Sequence, residues 1–328
     1  MSDNEFEVIE AEPEPANKRL KKTHDSLANL PHLEPTKIQN GVNSSITKLE
    51  DLPNEILLKV FDNFQINDLI KCGQVNQRIR SIAHHEILWQ KVNLDCKRVQ
   101  YNYKSGPHGY RMSAGLIQLI LENGCRHLGI SGIIERDLMP IKTIELNHLV
   151  ISNFSPEKTV DVLLASCNSL EKLSLNFVCL SKSLVSSICN KNGKTLKVLN
   201  LRGCEKGGEQ FDFDDLSQII QPIIDNCKGL TELNLTPCLN LSRLSKESID
   251  YLVNNLSDNI LKLNLNGIKI EDDQLKVLVT RCNKITELNL NGTDVSNESV
   301  EHLLIYLHST LGTIHILRQQ IFGPFLTH

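Results

Sequence analysis

Five segments of this chain spell one pattern: LEKLSLNFV from Leu170, LKVLNLRGC from Leu196, LTELNLTPC from Leu230, ILKLNLNGI from Ile260 and ITELNLNGT from Ile285. Their middle leucines, Leu173, Leu199, Leu233, Leu263 and Leu288, lie 26, 34, 30 and 25 residues apart. Self-similarity at this period excludes a single closed core. Each unit is too short to bury its own apolar face, so successive units must stack and share one core along a solenoid.

The spacing L-x-x-L-x-L is that of a leucine-rich repeat, with one short strand and one helix per unit. The intervening segments SPEKTVDVLLASCNS, DDLSQIIQPIIDNCKG and EDDQLKVLVTRCNK fit the helix, each opening on Ser or acidic residues and carrying apolar residues at helical spacing. Looser units lie outside the five, around Val92 and Leu94, Leu128 and Ile130, Leu149 and Ile151, and Ile314 and Ile316. The expected fold class is therefore α/β, a solenoid with nine parallel strands on its concave side and helices on its convex side. At about 4.8 Å per strand the sheet runs roughly 40 Å.

Alternation along a strand turns the leucines inward and the residues between them outward. The outward set is Lys172, Asn176, Asn200, Arg202, Glu232, Asn234, Lys262, Asn264, Asn266 and Asn289. Asn200, Asn234, Asn264 and Asn289 recur in column. They fit either a polar ladder that solvates the sheet or a recognition surface of amide groups, and the sequence leaves both open.

Residues 1–46 combine acidic residues, the basic cluster Lys18 to Lys22, and Pro, Asn and Ser with few large apolar side chains, the composition of a disordered tail. The cluster reads as a nuclear localisation signal or as a solvated charge run. Against 39 acidic residues stand 35 basic ones, so the average charge favours neither nucleic acid nor membrane as partner. No apolar run approaches the roughly 20 residues of a bilayer span, and the first residues are acidic where a secretory leader is basic. Nucleus and cytoplasm are the expected locations. There the ten cysteines read as buried thiols, and without any C-x-x-C spacing no metal site is expected.

The remaining stretch, residues 47–95, carries LEDLPNEILLKVFDNF from Leu49. Pro53 suits the first position of a helix and Glu55 its positive end. Ile56, Leu57, Val60, Phe61 and Phe64 form one stripe, and Leu58 widens it past what one packing face needs. Further short helices follow, one capped by Asn67 or Asp68, the next striped by Val75, Ile79, Ile82 and Ala83, with Leu88 and Trp89 closing the unit. A module of about 45 residues has little core of its own, so the surplus apolar face calls for a cover.

Leu52-Pro53, Glu55-Ile56-Leu57, Val60-Phe61, Asp68-Leu69, Val75 and Leu88-Trp89, in this order, resemble the F-box, with Ile79 standing where many members have Trp. Together with the repeats of 96–328, the chain is similar to the F-box and leucine-rich-repeat proteins. That resemblance implies a receptor without catalytic chemistry or cofactor, the substrate-recognition subunit of a cullin-RING ubiquitin ligase. It implies that Leu52, Pro53, Ile56, Leu57, Val60 and Phe61 dock a Skp-type adaptor, which joins the chain to cullin and RING subunits. The concave face would hold a protein substrate. A non-ligase scaffold and a repeat-based GTPase-activating protein are the alternatives.

Catalytic motifs do not form. NGKT (Asn192 to Thr195) would need a glycine where Ile188 stands to make a phosphate loop, and HEILW (His85 to Trp89) lacks the second histidine of a metalloprotease helix.

Overall fold

In the computed structural model, the described residues are 49–95, 111–112, 114–131, 133–134, 145–152, 163–164, 166–206, 217–236 and 244–316. The expected tail, the basic cluster and most of the SPEKTVDVLLASCNS segment lie outside them. The chain divides into Met1–Asp51, of which only the 3-10 turn Leu49–Asp51 is described, and Leu52–His328.

The second unit opens with four short helices: α1 (Asn54–Phe61), α2 (Ile66–Cys72), α3 (Gln77–Ala83) and α4 (Glu86–Trp89). Leu57, Leu58 and Phe61 of α1 pack with Leu69, Ile79, Ile82, Ala83 and Trp89. Ile79 thus fills a core slot. The Trp89 indole N–H donates to the Ala83 carbonyl at 2.7 Å, which satisfies its one polar atom inside that core.

Three local expectations are corrected. Pro53 is the N-cap of α1 rather than its first helical residue, and α1 ends at Phe61, leaving Phe64 stacked on Phe61 from the following turn at 5.0 Å. Gln65, not Asn67 or Asp68, sits at the N-cap of α2. Val75 precedes α3 and is 62% exposed, because the helix starts only after Asn76, whose Oδ1 accepts from the Ile79 N–H at 2.8 Å.

From Trp89 the chain runs almost directly into a nine-stranded sheet whose spatial order is its sequence order. The strands are β1 (Lys91–Asp95), β2 (His127–Ser131), β3 (His148–Ser152), β4 (Lys172–Asn176), β5 (Val198–Asn200), β6 (Glu232–Asn234), β7 (Lys262–Asn264), β8 (Glu287–Asn289) and β9 (Thr313–His315). All neighbours pair in parallel, and the register aligns Val92, Leu128, Leu149, Leu173, Leu199, Leu233, Leu263, Leu288 and Ile314 in one row. A second row, from Leu94 and Ile130 through Leu265 and Leu290, is buried beside it. Each such side chain contributes about 1.5–3 kcal/mol by leaving water. Ile314, in the last strand of the sheet, is only half-buried.

On the convex side lie α5 (Ala114–Glu122), α6 (Lys182–Asn192), α7 (Ser217–Asn226), α8 (Lys246–Asn255), α9 (Asp272–Arg281) and α10 (Asn297–Tyr306). Ser181, Ser245 and Ser296 cap α6, α8 and α10, each accepting from the N–H three residues on. At α9 the cap is Glu271 in a reciprocal capping box with Gln274. Cys167, Cys227 and Cys282 precede the next strand and are buried thiols. Burial raises Cys167 to about 12 and Cys282 to about 11, so neither is a nucleophile.

NGKT is a packing device. Asn192 is fully buried, its Oδ1 accepting from the Leu170 N–H at 3.0 Å, and the Thr195 hydroxyl donates to the Leu170 carbonyl at 2.8 Å.

Candidate functional site: two binding faces

The first face is built on α1. Arg78, on α3, donates through Nε and a terminal nitrogen to Asn54 Oδ1 at 3.0 and 2.9 Å, and to the Leu52 carbonyl at 2.6 Å. Its planar fork fixes the direction in which Leu52-Pro53 enters the helix. Among the expected adaptor-facing residues, Pro53 and Ile56 point outward, Ile56 with 41% of its surface exposed, while Leu52 and Val60 are half-buried. Leu57 and Phe61 are 0% exposed and belong to the internal core. The stripe therefore has two halves, one packed inside and one presented to solvent. Leu57 and Phe61 are corrected accordingly: a side chain with no accessible surface supports a docking face from beneath and cannot contact a partner.

The second face is the concave side of the sheet. Lys172 and Arg202 are exposed, while Asn176, Asn200, Glu232, Asn234, Asn264, Asn266 and Asn289 are half-buried. Lys262 is exposed but engaged. Its ammonium meets Glu287 on the neighbouring strand at 2.7 Å, and that hydrogen bond raises its pKa.

The asparagine column has a job inside the chain. Oδ1 of Asn200, Asn234, Asn264 and Asn289 accepts from the N–H of Arg202, Thr236, Asn266 and Asn291, at 3.0, 2.8, 3.1 and 3.0 Å. Each asparagine closes the turn that ends its strand, as a short amide two residues before a backbone N–H is suited to do. The carbonyl half of each amide is thus engaged within its own turn, a role neither the ladder nor the recognition reading anticipated.

Two features escaped the sequence reading. His127 and His148, aligned at the start of β2 and β3, stack with ring centroids 4.0 Å apart. His148 is lowered to about 4, first by loss of water and then by repulsion from His127, Lys172 and Lys91, with Glu171 acting in the opposite sense. Phe177, following β4, has a left-handed backbone with φ 54° and is 53% exposed.

A short helical module feeding a parallel solenoid of strand-and-helix repeats defines an F-box and leucine-rich-repeat architecture. The family described as F-box-like matches residues 49–95, and the one described as the SKP2 LRR domain matches residues 115–313, well over half of the chain. The chain belongs to the SKP2 LRR domain family. It is 22% identical over 247 residues to F-box/LRR-repeat protein 21 of Ovis aries, covering 69% of this chain and 53% of the relative. The chain thus spans about half the length of that curated relative. Among solved structures it is similar to one titled as a complex of Rad7 and Elc1 in yeast. There the identity is 15% and the TM-score 0.43, over 92% of this chain and 86% of the other.

Proposed function

We propose that this chain is the substrate receptor of a cullin-RING ubiquitin ligase, with no catalytic chemistry of its own. The outward half of the α1 stripe carries the reading. Pro53 and Ile56 present apolar surface on a helix whose other half already fills the module's core, inside the segment that matches the F-box. Because the other half anchors the helix, this apolar surface is available to a partner, and burying it there is favourable. That partner is a Skp-type adaptor, which brings the cullin and RING subunits. Residues 47–95 act as the docking module, 96–328 as the recognition domain and 1–46 as a tail, in a protein of the nucleus and cytoplasm.

The concave face is the substrate surface, with Lys172, Asn176, Arg202, Glu232 and Asn266 among its side chains. The test combines purified adaptor with the full chain, then adds cullin and RING subunits. A stoichiometric complex that supports ubiquitin transfer to a bound protein is expected. Failure to bind the adaptor would leave the non-ligase scaffold as the better reading.

A further inference from the structure

Phe177 breaks the rule of the repeat it sits in. The strand register places it three residues after Ser174, as Gly203, Gly267 and Gly292 stand three after Asn200, Asn264 and Asn289. All four have positive φ, at 54°, 64°, 77° and 66°. Glycine adopts this conformation without penalty, whereas a bulky aromatic residue is strained there. The residue does not recover that strain by full burial, since it is more than half exposed. Strain retained at an exposed side chain marks a position held for contact rather than for stability.

The surroundings say what the contact accepts. A Cβ on Gly203 would stand 2.5 Å from the Phe177 ring, so the absence of a side chain at Gly203 makes room for the aromatic on the rim of the sheet. The Phe177 N–H donates to the Arg202 carbonyl at 2.9 Å, so two exposed residues, one aromatic and one cationic, are backbone neighbours across the strand ends. Charge on the concave face is lopsided. The outward positions of β2 to β5, with Arg202 beyond them, carry the cation Lys172 and no carboxylate, the neutral ring of His148 adding no charge, whereas β6 to β8 carry Glu232 beside the Lys262–Glu287 ion pair. Glu171, at the entry to β4, is paired with Lys197 at 3.6 Å.

We infer that Phe177 and Arg202 anchor a protein segment that presents an apolar side chain beside a carboxylate. The apolar group covers the ring, and the carboxylate meets the guanidinium fork, a geometry lysine cannot reproduce. The inference rests on the receptor reading and names the class of substrate element its concave face selects.

The experiment immobilises the full chain and selects from a phage-displayed library of randomised peptides. Recovered sequences are synthesised and their Kd measured on the native protein, Phe177→Gly and Arg202→Ala, alongside each variant's Tm and adaptor capture. The expected result is peptides with Asp or Glu within two positions of a large apolar residue, weakened tenfold or more by either variant. The Tm of Phe177→Gly should equal or exceed the native value. A drop of several degrees in that Tm would make the ring a structural lid and overturn the inference. So would the absence of acid-and-apolar binders, or displacement of them by a single-stranded oligonucleotide of mixed sequence. Peptides indifferent to both variants yet lost on Asn266→Ala would overturn the anchor while leaving concave recognition intact. Loss of adaptor capture by the native chain would instead strike the receptor reading.

Discussion

Oδ1 of Asn234 accepts a hydrogen bond from the Thr236 N–H at 2.8 Å, two residues along the same turn. The same closure follows β5, β7 and β8. Asn234→Ala removes the acceptor and leaves a half-enclosed N–H without it, which costs about 1–3 kcal/mol. Arg202→Ala removes an outward side chain whose backbone N–H stays bound to Asn200, so its effect stays within about 0.5 kcal/mol. Thermal denaturation should separate the two by several degrees. Equal melting temperatures would return the asparagine column to recognition alone.

Ile56 and Leu57 are adjacent on α1 yet belong to opposite halves of its stripe. Ile56→Asp should leave the Tm near native and weaken adaptor binding by at least ten- to a hundredfold, the equivalent of about 1.5–3 kcal/mol of lost apolar burial. Leu57→Ala should do the reverse, costing about 2–5 kcal/mol of stability through the cavity it leaves in the module's core. Calorimetric melting and titration with purified adaptor decide the pair. Adaptor binding that survives Ile56→Asp would remove α1 as the docking element.

The contrast between these neighbours shows how far the sequence could be read. Leu173, Leu199, Leu233, Leu263 and Leu288 announced the sheet, because period-two alternation inside a longer repeat has few other solutions; all nine expected strands form in the expected order. Ile56, Leu57, Val60 and Phe61 announced an apolar stripe, but its division between internal core and free surface depends on where α3 and α4 pack. Arg78 was illegible for the same reason, since its partners lie 24 and 26 residues away. Phe177 did leave a signal. It stands where the same repeat places glycine in three other units, a departure that alignment of the units alone would expose.

His148 gives the fold a pH dependence. Its pKa in the folded chain, about 4, lies below the usual 6.5, so the fold favours the neutral ring. That stabilisation is complete above about pH 6.5 and is lost as pH falls toward 4. The ring is only half-buried and solvent screens it, so the effect is small. The His148 ring proton should titrate by NMR well below the usual 6.5. Over that window, the Tm of His148→Asn should fall less steeply than that of the native chain. An imidazole titrating near 6.5 would refute the assignment.

Gly193 closes the NGKT turn where α6 meets α7. A Cβ there would stand 2.4 Å from the Cys189 carbonyl oxygen and 2.5 Å from that of Asn226, both backbone atoms that cannot rotate away. Gly193→Ala therefore forces two packed helices apart, and overpacking of this kind typically costs about 1–3 kcal/mol. Gly267 tests a different constraint. Nothing lies within 4 Å of its would-be Cβ, but its φ of 77° is left-handed, so Gly267→Ala costs about 1–2 kcal/mol through conformation alone. The two mechanisms diverge on a second substitution. Asn has a Cβ but tolerates left-handed φ better than Ala, so Gly267→Asn should recover part of the lost stability. Gly193→Asn should recover none, because the carbonyls of Cys189 and Asn226 exclude any side chain. Denaturant titration of the four variants checks this. Recovery at position 193 would mean that the helices separate easily and that the turn is not a packing constraint.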